Sequence, residues 1–341
     1  MRVRIKLKLH HLIKRSLTHY WQSNLAIIFG VAVAAAVLVG SLLVGDSVRG
    51  SLRELAREQL GGVDHAMVTP GFFRQKLAAD LENEMGADAS LDLVAPAIIM
   101  RGALQRADGG AVAARVNVVG VSDEFWEFAE VSPGASPAGR NVLLNSQLAD
   151  ELEVETGGAV LLRLASRGEA PLDTAFGRRE LQDTLKSLRL SVSAVIGTDE
   201  LGNFSLRNDD PRPRNIFVAL GWLQKRLDRP GGANAILVGS TDERRTDRDA
   251  EARLSTALGA SLQLPDYGLK LRAIEKRNYI SLESQRLLLP QGAVEAAQRA
   301  AEKEGLHSNV TSIDMANSLR GTDDQGETRS MPYSVVAGLV L

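Results

Sequence analysis

The sequence lacks cysteine and contains few histidines. None of its 341 residues is cysteine, which excludes disulfide bonds, thiolate metal sites and cysteine nucleophiles. Of the five histidines, only His65 and His307 lie beyond the first 24 residues. Because these two are far apart in the chain, the sequence favours a surface or core role for each over a shared catalytic or metal site.

The motifs of nucleotide-binding and hydrolytic sites are also missing. No glycine is followed by lysine, so the sequence has no P-loop. It likewise has no H-E-x-x-H, no G-x-S-x-G and no EF-hand loop. We therefore predict no catalytic residues, no cofactor-binding residues and no metal ligands, and we do not expect the protein to be an enzyme.

Acidic residues are absent from the first part of the chain. Six of the 40 basic residues precede Ser16, whereas all 42 acidic residues follow Val44. The rest of the chain thus holds 34 basic and 42 acidic residues, a balance opposite to the basic surface of a nucleic-acid-binding protein. Apolar residues make up 44% of the sequence, which excludes a mostly disordered chain.

The segment Leu25–Val44 contains no charged residue. A helix of this length spans about 30 Å, the hydrocarbon thickness of a bilayer. Tyr20 and Trp21 precede it, as in the aromatic belt of a membrane helix. The alternatives are a signal peptide, whose apolar region would be only about 7–15 residues, and a buried core helix. We interpret residues 25–44 as a transmembrane helix in the cell (inner) membrane.

The basic segment before this helix predicts its orientation. By the positive-inside rule, residues 1–24 stay in the cytoplasm and residues 45–341 are extracytoplasmic. The segment is either a basic amphipathic helix on anionic membrane lipid or a charge cluster that only orients the span. Its apolar residues have the spacing of one helical face: Leu9, Leu12, Ile13, Leu17, Tyr20 and Trp21.

Residues 45–61 are predicted to form a stalk helix that ends at the pair Gly61-Gly62. A capping-box pattern follows Gly50, so the helix either restarts there or continues unbroken from the membrane. Leu52 and Leu55 are expected to hold the stalk against a neighbouring helix.

Beyond the stalk, short strands alternate with helices. Residues 91–105 and Val112–Val121 flank the polar turn Asp108-Gly109-Gly110, which predicts a hairpin. The pair Thr69-Pro70 predicts the start of a helix that carries Phe73 on its apolar face. This mixture of hairpins and helices predicts an α+β fold rather than a doubly wound parallel sheet.

Two clusters of side chains are candidates for binding. One is polar and comprises Asp199, Glu200, Asn203, Asp209 and Asp210. Its spacing matches no known calcium loop, so a solvated turn is the favoured interpretation. The other is aromatic and comprises Phe125, Trp126 and Phe128. It forms either a lipid or partner patch or, as we favour, a small core cluster.

Six segments of the body resemble a known family. They are VNVVGVSDEFWEF from Val116, NVLLNSQLADELEVETGGAVLLRL from Asn141, NFSLRNDDPRPRNIFVALGWLQKRL from Asn203, ANAILVG from Ala233, YGLKLRAIEKRNYISLESQRLLLP from Tyr267 and MPYSVVAGL from Met331. With the basic segment, the span and the stalk, they resemble the N-terminal half-unit of FtsX-like ABC transporter permeases with a MacB-type periplasmic core domain. One departure is Gly157-Gly158, where the family usually has glycine followed by aspartate.

The resemblance implies a two-lobed α+β domain. Residues 62–131 and 265–341 would form the membrane-proximal lobe, and residues 132–264 would form an inserted second lobe. It also implies a permease subunit that pairs with a separate ATP-binding (P-loop) subunit and with a second permease subunit, as a homodimer or heterodimer. ATP-driven motion would then reach an extracytoplasmic domain that acts on a lipid, lipoprotein, peptide or envelope partner.

Two further expectations concern the length of the protein and its class. The family has at least three more spans, and the sequence stops within the apolar run Tyr333–Leu341, so we expect a longer protein. The alternative function is a membrane-tethered extracytoplasmic sensor or ligand-binding domain. A sensor needs a cytoplasmic output domain, and residues 1–24 are too short to form one.

We predict that reporters fused after Gly62 and after Gly305 are active outside the membrane and silent in the cytoplasm. The reason is that six basic residues and no acidic residue precede the span. Alkaline phosphatase and a fluorescent protein would serve as the outside and inside reporters, and a fusion after Ser23 is the cytoplasmic control. A cytoplasmic signal at either body position would contradict the orientation.

Overall fold

The computed structural model describes residues 9–86, 93–164, 187–207, 212–240, 250–284, 289–322 and 328–339. Two helices come first, α1 (Leu9–His19) and α2 (Trp21–Leu60). The body, from residue 62 onward, contains in chain order β1 (Val63–Arg74), α3 (Lys76–Met85), β2 (Leu93–Arg106), β3 (Val112–Val121), the 3-10 helix η1 (Asp123–Phe128), β4 (Asn141–Asn145), α4 (Ser146–Leu152), β5 (Ala159–Leu164), β6 (Ser187–Ile196), β7 (Asn215–Ala219), α5 (Leu220–Arg226), β8 (Gly232–Gly239), α6 (Ala250–Ser261), η2 (Leu264–Tyr267), β9 (Leu269–Ile274), η3 (Glu275–Arg277), β10 (Tyr279–Ser284), α7 (Gln291–Lys303), β11 (Thr311–Thr322) and β12 (Thr328–Leu339).

Helix α2 joins the predicted span and the stalk, which is residues 45–60, in one uninterrupted helix. It has 40 residues and is therefore about 60 Å long. It is long and apolar enough to cross a membrane, and apolar side chains such as Ile28 and Leu42 are exposed along it, unlike those of a core helix. Gly50 does not break it. The continuous stalk is thus confirmed and the restart after Gly50 is excluded.

Eight strands form one sheet, and six of them close into a barrel. The barrel order is β2-β3-β7-β4-β6-β5, because β5 pairs with β6 along one edge and with β2 along the other. Strand β8 continues the sheet from the first half of β2, and β1 pairs with β8. Two pairs in this sheet, β3–β7 and β4–β6, are parallel and the others are antiparallel. With the packed helices, this mixed sheet confirms the α+β class.

Strand β2 is long enough to pair both with the barrel strands and with the outer strand β8. Residues 93–97 pair with β8, and residues 102–106 pair with β5. Residues 98–105 pair with β3 as the predicted hairpin. In the turn of this hairpin, Asp108 accepts hydrogen bonds of 2.9 Å from the Gly110 N–H and from Arg106 Nε. The bond from Arg106 lowers the pKa of Asp108. The hairpin prediction is confirmed.

Apolar side chains from all six barrel strands form one buried cluster. Leu104, Val118, Leu144, Leu162 and Ile216 are fully buried in it, and α4 and α5 add leucines to it. A separate cluster lies where α3 and α6 cover β1 and β8. Strands from the predicted lobes 62–131 and 132–264 share the same sheet, and the division into two lobes stays a prediction.

The prediction of a helix that starts at Thr69-Pro70 is wrong. Strand β1 runs on to Arg74, since Phe73 and Arg74 pair with β8, and α3 begins only at Lys76. Pro70 lies inside a register irregularity between Val68 and Phe73. Because the ladder is interrupted at that point, the missing N–H of the proline costs no strand hydrogen bond.

Arg74, at the end of β1, joins three segments of the body. Its backbone N–H and its Nε each donate to Asp266 Oδ1 at 3.0 Å, and its Nη2 lies 2.7 Å from Asp266 Oδ2. Its Nη1 lies 3.0 Å from Asp80 Oδ2 on α3. The bond to Asp266 raises the pKa of Arg74. The Asp266 side chain is fully buried, so the pair fixes η2 against β1.

We predict that Asp266→Ala lowers the free energy of unfolding of the full chain in detergent by about 3 kcal/mol, because it leaves a partly buried arginine without its main partner. Urea unfolding would measure the loss. The matched control is Glu283→Ala, which removes the exposed ion pair with Arg272 and should cost less than about 1 kcal/mol. Equal effects of the two replacements would contradict a structural role for Asp266.

Candidate functional site at the end of the stalk helix

The polar cluster predicted from the sequence forms a turn in the residues that the structure describes. Glu200 Oε2 accepts a hydrogen bond of 2.9 Å from the Gly197 N–H, and Asn203 Nδ2 donates one of 3.0 Å to Thr198 Oγ1. Asp209 and Asp210 lie outside the described residues. Within the described ranges, no group of three or more histidine, aspartate or glutamate side chains is arranged to hold a metal ion.

The two histidines of the body lie on different elements. His65 is in β1, where it pairs with Val238 of β8. His307 follows α7 and is exposed. The described residues do not place either in a cluster of potential metal ligands.

The aromatic cluster belongs to the core. Phe125, Trp126 and Phe128 of η1 are at most 5% exposed. The Phe125 ring meets the Phe204 ring edge-on at 5.2 Å between centroids, and the Trp126 ring lies 5.4 Å from that of Phe217. The core interpretation is therefore confirmed over the exposed patch, and η1 is anchored to the barrel strand β7.

This anchored helix η1 receives the end of the stalk. Gly61 caps α2 by donating its N–H to Arg57 O at 2.8 Å, with φ at +57° and ψ at −135°, a conformation that favours glycine. The next N–H, of Gly62, donates to Phe128 O at 2.8 Å. A Cβ on Gly61 would lie 2.7 Å from Phe128 O and 2.3 Å from Leu201 Cδ2. The two glycines thus let the backbone of the stalk lie directly against the body.

A loop between β6 and β7 contacts the last turn of the stalk. We call residues 197–207 the clamp loop. The Ser205 N–H donates to Gln59 O at 3.1 Å, and Leu201 lies against Gly61. Gln59 is only 3% exposed, the one buried residue of α2 in the described chain. The hydrogen bond from the Ser205 N–H gives a partner to the main-chain carbonyl of Gln59, which the helix end would otherwise leave without one.

The leucines expected to hold the stalk against a neighbouring helix are not the residues at the contact with the body. Leu52 is 58% exposed and Leu55 is half-buried, and their contact with a neighbouring helix stays a prediction. The stalk meets the body at Gln59 and Gly61, at the end of α2.

Buried asparagines fix the clamp loop to the barrel. Asn215 Nδ2 donates to Gly202 O at 2.9 Å and to Phe204 O at 2.7 Å. Asn215 Oδ1 accepts from Asn117 Nδ2 at 3.0 Å. The Asn215 N–H donates to Asn145 Oδ1 at 3.0 Å, and the same oxygen caps α4. Asn215 and Asn145 are at most 1% exposed.

We call the contacts among residues 59–62, 128, 201–205 and 239 the joint. The joint is suited to holding a geometry rather than to a reaction. Its contacts are main-chain hydrogen bonds, amide bridges and apolar packing, and they include no acid, base or nucleophile in position for chemistry. Sequence reasoning used Gly61-Gly62 only as a helix end and did not select the asparagines. The sequence feature that could have pointed to the buried asparagines was Asn145, an N-cap residue between a strand and a helix.

We predict that Gly61→Ala loosens the joint, because the added Cβ collides with Phe128 O and the residue must keep a positive φ. Hydrogen exchange at the Gly62 and Ser205 amides of the full chain should become faster. The matched control is Gly50→Ala, where a Cβ meets nothing within 4 Å and the helix gains about 1 kcal/mol. Unchanged protection in the Gly61 variant would contradict the close contact.

Comparisons with known proteins give structural similarity only. No protein-family model matches the sequence, and no curated protein matches it. The periplasmic region of MacB from Actinobacillus actinomycetemcomitans is 12% identical, with a TM-score of 0.36 over 60% of this chain and 86% of that one. The extracellular domain of the noncanonic ABC-type transporter YknZ from Gram-positive bacteria is 9% identical, with a TM-score of 0.35 over 57% of this chain and 94% of that one. The chain is thus similar to structures of the kind that the sequence resemblance names.

Proposed function

We propose that the chain is a permease subunit of an ABC transporter that transmits motion rather than performing catalysis. ATP-driven motion of a separate ATPase subunit would pass through α2 to the extracytoplasmic body, which acts on a lipid, lipoprotein, peptide or envelope partner. The observation that carries this proposal is the uninterrupted helix α2, which runs from the apolar span to a built joint with the body. The sequence resemblance to FtsX-like permeases supplies the class.

The geometry of α2 supports transmission over a useful distance. Sixteen residues separate Val44 from Leu60, a rise of about 24 Å. A continuous hydrogen-bonded helix resists bending over this length. Sharp kinks occur at proline, at glycine–serine pairs, at bulges or at inserted groups, and α2 continues as helix through its pair Gly50-Ser51. Displacement or rotation of the span therefore arrives at the joint as displacement or rotation of Gln59 and Gly61.

The same proposal assigns the partners. The sequence resemblance implies an ATP-binding subunit on a separate chain, and the absence of a P-loop from these 341 residues agrees with it. A second permease subunit, identical or different, completes the membrane part. Residues 1–24 lie on the cytoplasmic side, where α1 is placed to meet membrane lipid. No part of the proposal needs nucleic acid or a cofactor.

We predict that a break in the stalk separates ATP turnover from motion of the body. Glu54→Pro removes a helix hydrogen bond and clashes with the preceding turn, at a cost of about 3 kcal/mol. In liposomes with the ATP-binding subunit, ATP hydrolysis should persist while the ATP-dependent change in distance between spin labels on the bodies of the two permease subunits is lost. The absence of native cysteine permits site-specific labelling.

The matched control is Glu54→Ala, which removes the same exposed side chain and keeps the helix. It should retain both ATP turnover and motion. Full ATP-linked motion in the proline variant would contradict transmission through the stalk. A wild-type chain that binds no ATPase subunit would favour the alternative, a membrane-tethered sensor or ligand-binding domain.

A further inference from the structure

The stalk is attached to the body by two routes. The first is covalent and runs through Gly61 and Gly62 into β1, the strand that lies outside β8 and outside the barrel; on the way, the Gly62 N–H donates to Phe128 O of η1. The second route runs from Gln59 O to the Ser205 N–H and through the clamp loop to β7, which is a barrel strand. The first route alone would leave the orientation of the barrel on the stalk to a glycine pair and its one hydrogen bond to η1.

The second route depends on the side chain of Asn215. Its amide nitrogen spans two carbonyl groups of the clamp loop, those of Gly202 and Phe204, on either side of Asn203. Both N–H groups of the amide and its oxygen are used. A fully satisfied amide at 0% exposure has one favourable orientation, and so does the loop that it binds.

Asn145 supports the same loop from the next strand. Its Oδ1 accepts the Asn215 N–H, and its Nδ2 donates to Pro213 O at 2.7 Å and to Asn203 Oδ1 at 3.4 Å. The loop is therefore held at both its middle and its return to β7. Leu201, at a positive φ of +60°, is oriented by this arrangement toward Gly61.

We propose that Asn215, supported by Asn145, is a positioning residue for transmission. It holds the clamp loop against the last turn of the stalk helix, and the clamp loop fixes the orientation of the barrel, and with it the outer strands, on the stalk. This inference rests on the proposed function for its purpose, but the attachment itself exists without any ATPase subunit. It can therefore be tested separately.

The test measures distances between spin-label pairs in the full chain in lipid nanodiscs. One label replaces the exposed Arg53 on the stalk, as Arg53→Cys. Its partner is either on the barrel, as Arg163→Cys on β5, or on the outer layer, as Glu82→Cys on α3; both positions are exposed. Asn215→Ser leaves one hydroxyl donor where the amide bridged two carbonyl oxygens.

We expect Asn215→Ser to broaden both the stalk-to-barrel and the stalk-to-α3 distance distributions, because β2 pairs with β8 and with β5 and so joins the outer strands to the barrel. The matched control is Asn234→Ser on β8. Asn234 is also a buried amide that bridges a backbone N–H and a carbonyl, both of Ile99, at 2.8 and 2.9 Å, but it does not touch the clamp loop. The control should leave both distributions narrow at a similar loss of thermal stability.

A second variant keeps the test available if Asn215→Ser does not fold. Leu201→Gly then takes its place, because glycine accepts the positive φ and removes the side chain that meets Gly61. The broadening is then expected in that variant.

The outcomes distinguish this inference from the proposed function. A narrow stalk-to-barrel distribution in the folded Asn215 variant, or equal broadening in the Asn234 control, would overturn the positioning role. Broadening as predicted, together with no ATP-dependent change in the wild-type chain reconstituted with an ATPase subunit, would keep the positioning role and reject the transporter function. With a working ATPase subunit, Asn215→Ser should retain ATP hydrolysis and lose the ATP-dependent change in distance between Arg163→Cys labels on the two permease subunits.

Discussion

The approach of the stalk backbone to the body at Gly61 and Gly62 is the constraint on which the rest of the arrangement depends. Any side chain at Gly61 would overlap Phe128 O, and a Cβ on Gly239 at the end of β8 would lie 2.0 Å from Gly62 O. Such distances exclude every residue with a Cβ unless the backbone moves. The end of η1, the end of β8 and the clamp loop therefore all meet one short piece of main chain.

Much of the fold was predictable because it follows from local patterns. The uncharged run Leu25–Val44 and the hairpin around Asp108 depend on residues that are neighbours in sequence. The error at Thr69-Pro70 has a non-local cause, since pairing with Ala233 in β8 extends the strand past a proline that locally favours a helix. Closure of the barrel by β2 and β5 likewise depends on a pairing that no local pattern reports.

The joint was far less predictable than the fold. Its parts come from residues 59–62, 128, 201–205 and 239, and their contacts are largely made by main-chain atoms, which carry no sequence signature. Leu52, an apolar residue on the stalk, is exposed in the described chain, whereas the polar Gln59 is buried. The contact at Gln59 is made by its main-chain carbonyl, which accepts the Ser205 N–H.

The sheet explains why two attachments to the stalk are compatible with one body. Strand β2 pairs with β8 through residues 93–97 and with β5 through residues 102–106, so the outer layer and the barrel share one strand. The barrel and β1 cannot rotate by different amounts, because β2 connects the barrel to β8 and β1. Hydrogen-bonded strands cannot slip in register without exposing their buried faces. The barrel and the outer strands are therefore held together through β2, and without the clamp loop the stalk is attached through the glycine pair and the hydrogen bond from the Gly62 N–H to Phe128 O.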